Sequence, residues 1–260
     1  MSTVTASLTS ARLRRGFVVP LLALIAWELI THYKLANVRL LASPSAVLKS
    51  LLFQVREGEL FPQLVASLQR DLLGFSLGAV AGLLLGSAMG VWRIADRLFG
   101  PSFDAAKQVA VFAWIPLISV WCGTGELAKV VFIALAAFYP VVVNAYDGIR
   151  SVSREHVEVA RAFRFSRLQT FKRVALPAAL PSIFSGLHLA LIYAWLGTLG
   201  AEYLLAPAPG IGNLMIDGRE SLAMDKVLLG VLIAGLVGFS LNAIAARAEA
   251  YFLRWRVRNA

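Results

Sequence analysis

The polar stretch at 155–177, EHVEVARAFRFSRLQTFKRVALP, holds the residues of this chain that are best suited to chemistry with another molecule. Seven Lys and Arg residues fall between Arg150 and Arg173, and long apolar runs lie on both sides. The chemistry that such a basic, amphipathic segment favours is non-covalent. It suits docking into a groove of a partner protein, and the alternative is a solvated basic loop.

The spacing of apolar residues in this stretch predicts two short helices. Val159 and Phe163 fall on one face of a first helix at 155–163, because residues four apart are neighbours on a helix. Ser166 is a capping residue that suits the start of a second helix. Pro177 then fits the first turn of a long apolar helix. The pattern indicates a helix, a turn and a second helix that leads into an apolar run.

Composition places the chain in a membrane. Of its residues, 58% are hydrophobic and 15% are charged, and the mean hydropathy is +0.72. Soluble domains are about 45–50% apolar and about 25% charged, so the excess apolar surface needs lipid to cover it. The net charge of +10 could indicate a nucleic-acid partner, but the basic residues are scattered over many short loops. Orientation in a membrane explains them better, and we expect no nucleic acid to bind.

Six apolar segments are candidates for helices that cross about 30 Å of hydrocarbon. The first is interpreted as a retained span rather than a cleaved signal peptide, because Glu28, His32 and Lys34 lie in it or directly after it. The third is short and contains Pro116. The candidate spans are 16–33, 72–92, 108–122, 127–147, 178–205 and 227–247.

The distribution of Lys and Arg predicts the direction of the spans. With the N-terminus in the cytoplasm, 17 of the 25 Lys and Arg residues lie inside and 8 lie outside. Both termini and the loop at 148–177 are therefore expected to be cytoplasmic. The domain plan is a cytoplasmic tail at 1–15, a six-span membrane domain at 16–247 and a second cytoplasmic tail at 248–260.

Two further patterns concern packing. The outer loop at 34–70 contains a helix that starts at Pro44 and is expected to lie in the membrane interface. The second span has a glycine at every fourth position, which predicts close packing against another helix of the same subunit. A dimer contact or a pore lining is the alternative. The glycines are Gly74, Gly78, Gly82, Gly86 and Gly90.

The loop at 148–177 resembles the EAA loop of ABC-importer permeases, whose pattern is EAA, three residues, Gly, nine residues, Ile, one residue and Leu-Pro. Val159 replaces an alanine of the pattern, and Arg164 replaces the glycine. If the turn requires a positive φ angle, a residue other than glycine costs on the order of 1 kcal/mol there. The residues that match are Glu158, Ala160, Val174, Leu176 and Pro177.

The resemblance covers essentially the whole chain, from the first span to Arg256, and is to the nitrate, sulfonate and taurine group of these permeases. Each matching stretch is weak alone, but their order along the chain is specific. The stretches lie at 41–45, 115–117 with Trp121, 147–150, 176–183 and 210–212.

The resemblance implies an all-α integral membrane protein of the bacterial inner membrane, with about six transmembrane helices and a cytoplasmic helix-turn-helix coupling loop. Two copies would form a homodimer in lipid, two cytoplasmic ATPase subunits would bind the coupling loops, and a periplasmic or lipid-anchored binding protein would deliver the solute. The sequence has no G-x-x-x-x-G-K-[ST] phosphate loop, so we expect no enzyme activity and no cofactor in this subunit. The residues expected to dock the ATPase are Glu158, Val159, Ala160, Phe163, Arg164, Leu176 and Pro177.

The solute that the resemblance implies is a small anion, most simply an aliphatic sulfonate or taurine. Nitrate, nitrite or another small solute, including one of the thiamine-precursor type, is the alternative within the family. His188 suits helix packing, and Glu28 suits either a functional site or a carboxylate that reaches water near the outer end. Candidates for the translocation pathway, each of which also suits helix packing, are Trp114, Asn144, Tyr193, Trp195 and Thr198.

Two other classes of function compete with this interpretation. An ion-coupled secondary transporter commonly places acidic or His residues in mid-membrane, and the sequence indicates almost none between the second and sixth spans. Such a carrier also leaves the coupling loop unexplained. A membrane enzyme needs a catalytic motif, and the sequence has no HExxH, no His/Asp cluster and no G-x-S-x-G. Its three separated histidines do not predict a metal site.

Overall fold

The structure is a computed structural model that describes residues 18–33, 35 and 41–254. Every regular element in these ranges is a helix, which confirms the predicted all-α class. A 3-10 helix (Val111–Trp114) precedes α5, and a π-helix (Phe171–Ala175) joins α8 to α9. The predicted tail at 1–15 lies outside the described residues. The α-helices are α1 (Val18–His32), α2 (Pro44–Arg56), α3 (Leu60–Val91), α4 (Arg93–Ala106), α5 (Ile115–Cys122), α6 (Glu126–Arg150), α7 (Arg154–Ala162), α8 (Arg167–Thr170), α9 (Leu176–Leu204), α10 (Ile211–Glu220) and α11 (Met224–Phe252).

Four helical segments are long and apolar enough to cross a membrane: α3, α6, α9 together with the π-helix, and α11. A fifth candidate is the pair formed by α4 and Val111–Cys122, which is bent by 96°. The third predicted span therefore corresponds to Val111–Cys122, the second part of this bent pair. α1 is apolar but shorter than the other candidates. The described residues thus hold four or five candidate spans, and the count of six stays a prediction.

The region predicted as an outer loop at 34–70 is largely helical where the structure describes it. α2 begins at Pro44, and the hydroxyl of Ser43 caps it by accepting the Ala46 N–H at 3.1 Å. α3 begins at Leu60, well before the predicted residue 72. Hydropathy placed that start too late, because the first turns of α3 carry polar side chains that find their partners inside the protein.

Contacts divide the described chain into two compact units, one of residues up to Gln63 with Leu214–Ile233, and one of Leu64–Asn213 with the residues from Ala234. In the first unit, the Glu28 carboxylate accepts the N–H and the hydroxyl of Ser45 at 3.1 and 2.8 Å. The acid thus lies at the N-terminus of α2, where a negative charge is favourable. This arrangement gives Glu28 a structural role.

In the second unit, the glycine face of α3 packs directly on α6. A Cβ atom at Gly74 would lie 2.5 Å from the Cβ of Ile133, and one at Gly82 would lie 2.8 Å from the Cβ of Val141. The two backbones approach this closely because glycine has no side chain. The contacts confirm the prediction that these glycines pack within the subunit.

α9 packs on α6 in the same way. Gly186 of α9 faces Asn144, and Gly148 of α6 faces Ser182, whose hydroxyl donates to the Asn144 carbonyl at 2.9 Å. Small and branched side chains fill the core between the helices: Ala79, Ile133, Ala137, Val141, Ala190 and Ala194. α3, α6 and α9 therefore form the framework that positions the polar residues at their ends.

Candidate functional site

The coupling segment, residues 154–177, begins with α7, as the spacing of apolar residues predicted. α7 ends in a tight turn in which the Phe165 N–H donates to the Ala160 carbonyl at 3.0 Å and Arg164 has a φ of 55°. This hydrogen bond around a left-handed residue is the Schellman ending of a helix, a position that glycine usually fills. Arg164 therefore adopts the positive φ expected of the EAA glycine, at a cost on the order of 1 kcal/mol.

A capping box starts the second helix of the segment. The Ser166 N–H donates to Oε1 of Gln169 at 2.8 Å, and the Gln169 N–H donates to the Ser166 hydroxyl oxygen at 3.3 Å. The predicted cap is thus confirmed. α8, the π-helix and α9 follow without a break. In a regular helix the Pro177 ring would clash with the carbonyl of Arg173, and the wider π turn at that carbonyl admits the proline.

Four of the seven predicted docking residues are exposed on this segment. Val159 and Phe163 keep 56% and 73% of their surface exposed, although both are apolar. Glu158 and Arg164 are exposed beside them. Large apolar side chains that stay open on an otherwise polar helix are typical of a contact surface. We call these four residues the exposed set.

The other three predicted docking residues are buried or partly buried. Ala160 is buried near the end of α7. Leu176 and Pro177 are partly buried in the first turn of α9, and Leu176 packs against the cluster that contains Ile149 and Ile183. The structure therefore divides the seven residues into the exposed set and three less exposed residues, and their role in docking stays a prediction.

Three of the five pathway candidates are held by partners inside the subunit. The Asn144 amide donates to the Pro140 carbonyl at 2.8 Å, and the Trp195 indole N–H donates to the Ala234 carbonyl at 3.0 Å. Thr198 is fully buried. These positions fit the helix-packing interpretation that the sequence left open, and a place in the pathway stays a prediction for them.

The two remaining candidates differ in their surroundings. Tyr193 keeps half of its surface exposed. The indole N–H of Trp114 is buried and has no hydrogen-bond partner among the described residues. His188 lies 2.7 Å from the Asn242 side-chain oxygen through Nε2, which agrees with its expected packing role.

A second site, which the sequence analysis missed, is a cluster of charges shared by α3, α6 and α9, in which Arg70 and Glu202 are buried and Glu126 is exposed. The Arg70 guanidinium donates to the Glu126 carboxylate through Nε and Nη2 at 2.5 and 2.9 Å. Its Nη1 donates to Oε1 of Glu202 at 2.7 Å. Glu126 is the first residue of α6 and Glu202 lies in the last turn of α9, so one cation ties three helices together.

Hydrogen-bond donors surround the Glu202 carboxylate and balance its negative charge, although the residue lies in an apolar helix. The Ser67 hydroxyl is 2.7 and 2.9 Å from its two oxygens, and the Gly212 N–H donates to Oε2 at 2.9 Å. With Arg70, these donors replace the water that the buried charge has lost. Glu202 is only 1% exposed, so this hydrogen bonding makes its burial possible.

Lys129 and Asp71 complete the cluster. The Lys129 side chain is almost fully buried, with Nζ 3.4 Å from Oε1 of Glu126. Asp71 is fully buried and accepts the Thr198 hydroxyl at 3.2 Å. The remaining oxygen of Asp71 has no hydrogen-bond partner among the described residues.

This cluster corrects two expectations from the sequence. Arg70 and Lys129 were counted among the outer cations, but both are buried against carboxylates, so the predicted count becomes 6 basic residues outside against 17 inside. Acids in the spans were also undercounted, because Asp71 and Glu202 lie within α3 and α9. The available signal was an ionisable residue inside an apolar segment, which usually has a nearby partner.

Comparison with known proteins decides the family. Residues 78–257 match the family described as the binding-protein-dependent transport system inner membrane component. The chain belongs to this family. The permease is 34% identical to the putative aliphatic sulfonates transport permease protein SsuC of Bacillus subtilis over 242 residues, which cover 93% of this chain and 87% of the relative. The Escherichia coli protein of the same name is 35% identical over 237 residues, which cover 91% and 90% of the two chains.

The fold agrees with that family. A structure of the MetNI methionine ABC transporter in inward-facing conformations matches the permease with a TM-score of 0.55 and 19% identity, over 70% of this chain and 92% of that one. Other relatives are named as bicarbonate, nitrate and taurine permeases. The resemblance read from the EAA loop is confirmed. The protein is an ABC-importer permease rather than an enzyme, and ATP hydrolysis belongs to a separate subunit.

Proposed function

We propose that this permease carries a small sulfonate, such as an aliphatic sulfonate or taurine, from a solute-binding protein into the cytoplasm of a bacterial cell. The support is that two relatives named for aliphatic sulfonates align with more than 90% of the chain. Nitrate and bicarbonate, which are also small oxyanions, are the alternatives that further relatives favour.

The observation that carries the mechanical part of the proposal is the exposed set at the end of α7 and in the turn after it. Phe163 and Val159 present an apolar surface next to Glu158, on a short helix connected through a fixed turn to α9. A short amphipathic helix of this kind fits a groove on a partner, and its apolar residues would provide most of the contact energy. We assign the cytoplasmic ATPase to this surface, with Ala160, Leu176 and Pro177 holding it to the membrane helices.

The proposed assembly has two copies of the permease in the inner membrane, with both termini in the cytoplasm. The excess of Lys and Arg on one side supports that orientation. α3 exposes large apolar side chains, among them Leu73, Leu77, Val80 and Leu84, which lipid or a second copy would cover. A homodimer, which would also enclose a central pathway, would cover part of this apolar surface. Tyr193 and Trp114 are the side chains that we place nearest to this pathway.

Uptake by the reconstituted transporter tests the proposal. The permease, its ATPase and its binding protein are placed in vesicles, and ATP-dependent uptake of radiolabelled taurine, ethanesulfonate, nitrate and bicarbonate is compared. The proposal expects the sulfonates to enter at least tenfold faster than the other anions, and only when ATP and the binding protein are both present. Preferential entry of nitrate or bicarbonate would overturn the solute assignment. Uptake that needs an ion gradient but no ATPase would overturn the proposed mechanism.

A further inference from the structure

We infer that Arg70 and Glu202 are positioning residues for transport, which keep the loop at 205–213 fixed to α3, α6 and α9 throughout the transport cycle. The loop comprises residues 205–210, which connect α9 to α10, and the first three residues of α10, and it contains Pro207, Pro209 and two glycines. The inference rests on the proposed function only in placing this loop on the side where the solute arrives.

Four hydrogen bonds hold the loop to three other parts of the second unit. The Ala206 N–H donates to the Thr124 carbonyl at 3.2 Å, and the Pro209 carbonyl accepts Nη1 of Arg70 at 2.7 Å. The Ile211 N–H donates to the Ser67 hydroxyl at 2.9 Å. The fourth bond is the one from Gly212 to Glu202. A short loop with this many bonds to its surroundings has little freedom to move.

Close packing adds to these bonds. A Cβ atom at Gly210 would lie 2.5 Å from the carboxyl carbon of Glu202, and one at Gly212 would lie 2.6 Å from the Glu202 Cβ. Both glycines therefore allow the loop backbone to lie directly against the acid. Any outward swing of the loop would remove the Gly212 donor and leave an open space beside the carboxylate.

The buried charges of Arg70 and Glu202 make an outward movement of the loop unfavourable. Arg70 and Glu202 are both buried, and their charges are compensated by each other, by Glu126 and by the loop itself. A buried ion that loses a partner without gaining water is strongly disfavoured, and more so in a membrane-embedded chain. The cluster therefore favours a loop that moves together with α3, α6 and α9 as one body.

A fixed loop has a direct use in an importer. Pro207 and Pro209 are exposed, so the loop presents rigid backbone to the surface. A partner that binds a pre-ordered surface does not have to order it first, which favours binding. The solute-binding protein would thus meet the same loop surface while other parts of the permease change conformation.

A reversible disulfide tests whether the loop stays in place. Thr124→Cys and Ala206→Cys are introduced together with Cys122→Ser, which removes the single native cysteine. Both positions retain solvent exposure, and the Ala206 N–H donates to the Thr124 carbonyl at 3.2 Å, so the two backbones lie next to each other. In the complete transporter, the oxidised form is expected to transport within twofold of the reduced form. Transport that stops on oxidation and returns on reduction would overturn the inference, as would failure of the disulfide to form.

A charge-removing variant tests the role of Glu202. Glu202→Gln is compared with Glu249→Gln, which removes another acid from a long helix, outside the cluster. In the complete transporter, Glu202→Gln is expected to reduce the stimulation of ATPase activity by the binding protein at least tenfold, with basal ATPase activity within twofold of wild type. Normal stimulation in Glu202→Gln, or an equal loss in Glu249→Gln, would overturn the positioning role. Failure of the proposed function would appear differently, as no ATP-dependent uptake by the wild-type complex.

Discussion

Nη1 of Arg70 lies 2.7 Å from Oε1 of Glu202, although 132 residues separate the two along the chain. Arg70 belongs to the early part of α3 and Glu202 to the last turn of α9. The pair exists only when these helices lie side by side, so it reports on the packing of the whole second unit. It also explains how a long apolar helix can hold a carboxylate that is almost completely buried.

Arg70→Gln is predicted to destabilise the permease severely. The substitution leaves the buried Glu202 charge without its cation, and breaking a buried pair in this way costs about 3 to 5 kcal/mol. The measurement is thermal unfolding of the detergent-solubilised protein. Arg56→Gln is the matched control, because Arg56 is exposed in the last turn of α2 and should change stability little. Equal unfolding temperatures for the two variants would show that the Arg70 pair contributes little.

Gly82→Ala is predicted to weaken the packing of α3 on α6. The added methyl group would lie 2.8 Å from the Cβ of Val141, so the helices must separate, and overpacking of this kind typically costs about 1 to 3 kcal/mol. Gly235→Ala is the control, because nothing lies within 4 Å of the Cβ position in α11. The control should be neutral or slightly stabilising, since alanine favours helix more than glycine does. The prediction fails if both variants unfold at the same temperature.

Arg164→Gly is predicted to stabilise the turn after α7 by up to about 1 kcal/mol, since glycine adopts a φ near 55° without strain. Arg164→Ala keeps the strain and removes only the side chain. Hydrogen exchange at 154–170 in the detergent-solubilised protein measures the effect. Slower exchange in the glycine variant alone is the expected result. Faster exchange in both variants would mean that the Arg164 side chain makes a stabilising contact of its own.

The coupling segment could be predicted from sequence because its determinants are local. The cap at Ser166 and the apolar positions of α7 act over a few residues, and the structure reproduces both. At Arg164 the glycine of the family pattern left open whether the turn needs a positive φ, and the structure has a φ of 55° there. The close packing of the glycine face could be predicted for the same reason, since the spacing repeats along a single helix.

The charge cluster could not be predicted in the same way because its partners are far apart in sequence. Glu126 lies 56 residues from Arg70, and Glu202 lies beyond it in another span. Hydropathy therefore treated the first turns of α3 as an outer loop and Arg70 as a solvated charge. The three-dimensional partners also move the start of α3 to Leu60. Only an ionisable residue inside an apolar run, such as Glu202, hinted at the arrangement.

The most direct test of the account is whether the exposed set at the end of α7 and in the following turn binds the ATPase. Phe163→Ser is compared with Phe61→Ser, because the two phenylalanines are 73% and 72% exposed and Phe61 lies at the start of α3, outside the coupling segment. Each tagged permease is purified from membranes that also contain the ATPase, and the ATPase recovered per permease is measured. The account predicts that Phe163→Ser recovers less than a tenth of the wild-type amount while Phe61→Ser recovers a normal amount. Normal recovery with Phe163→Ser, or an equal loss in both variants, would contradict it.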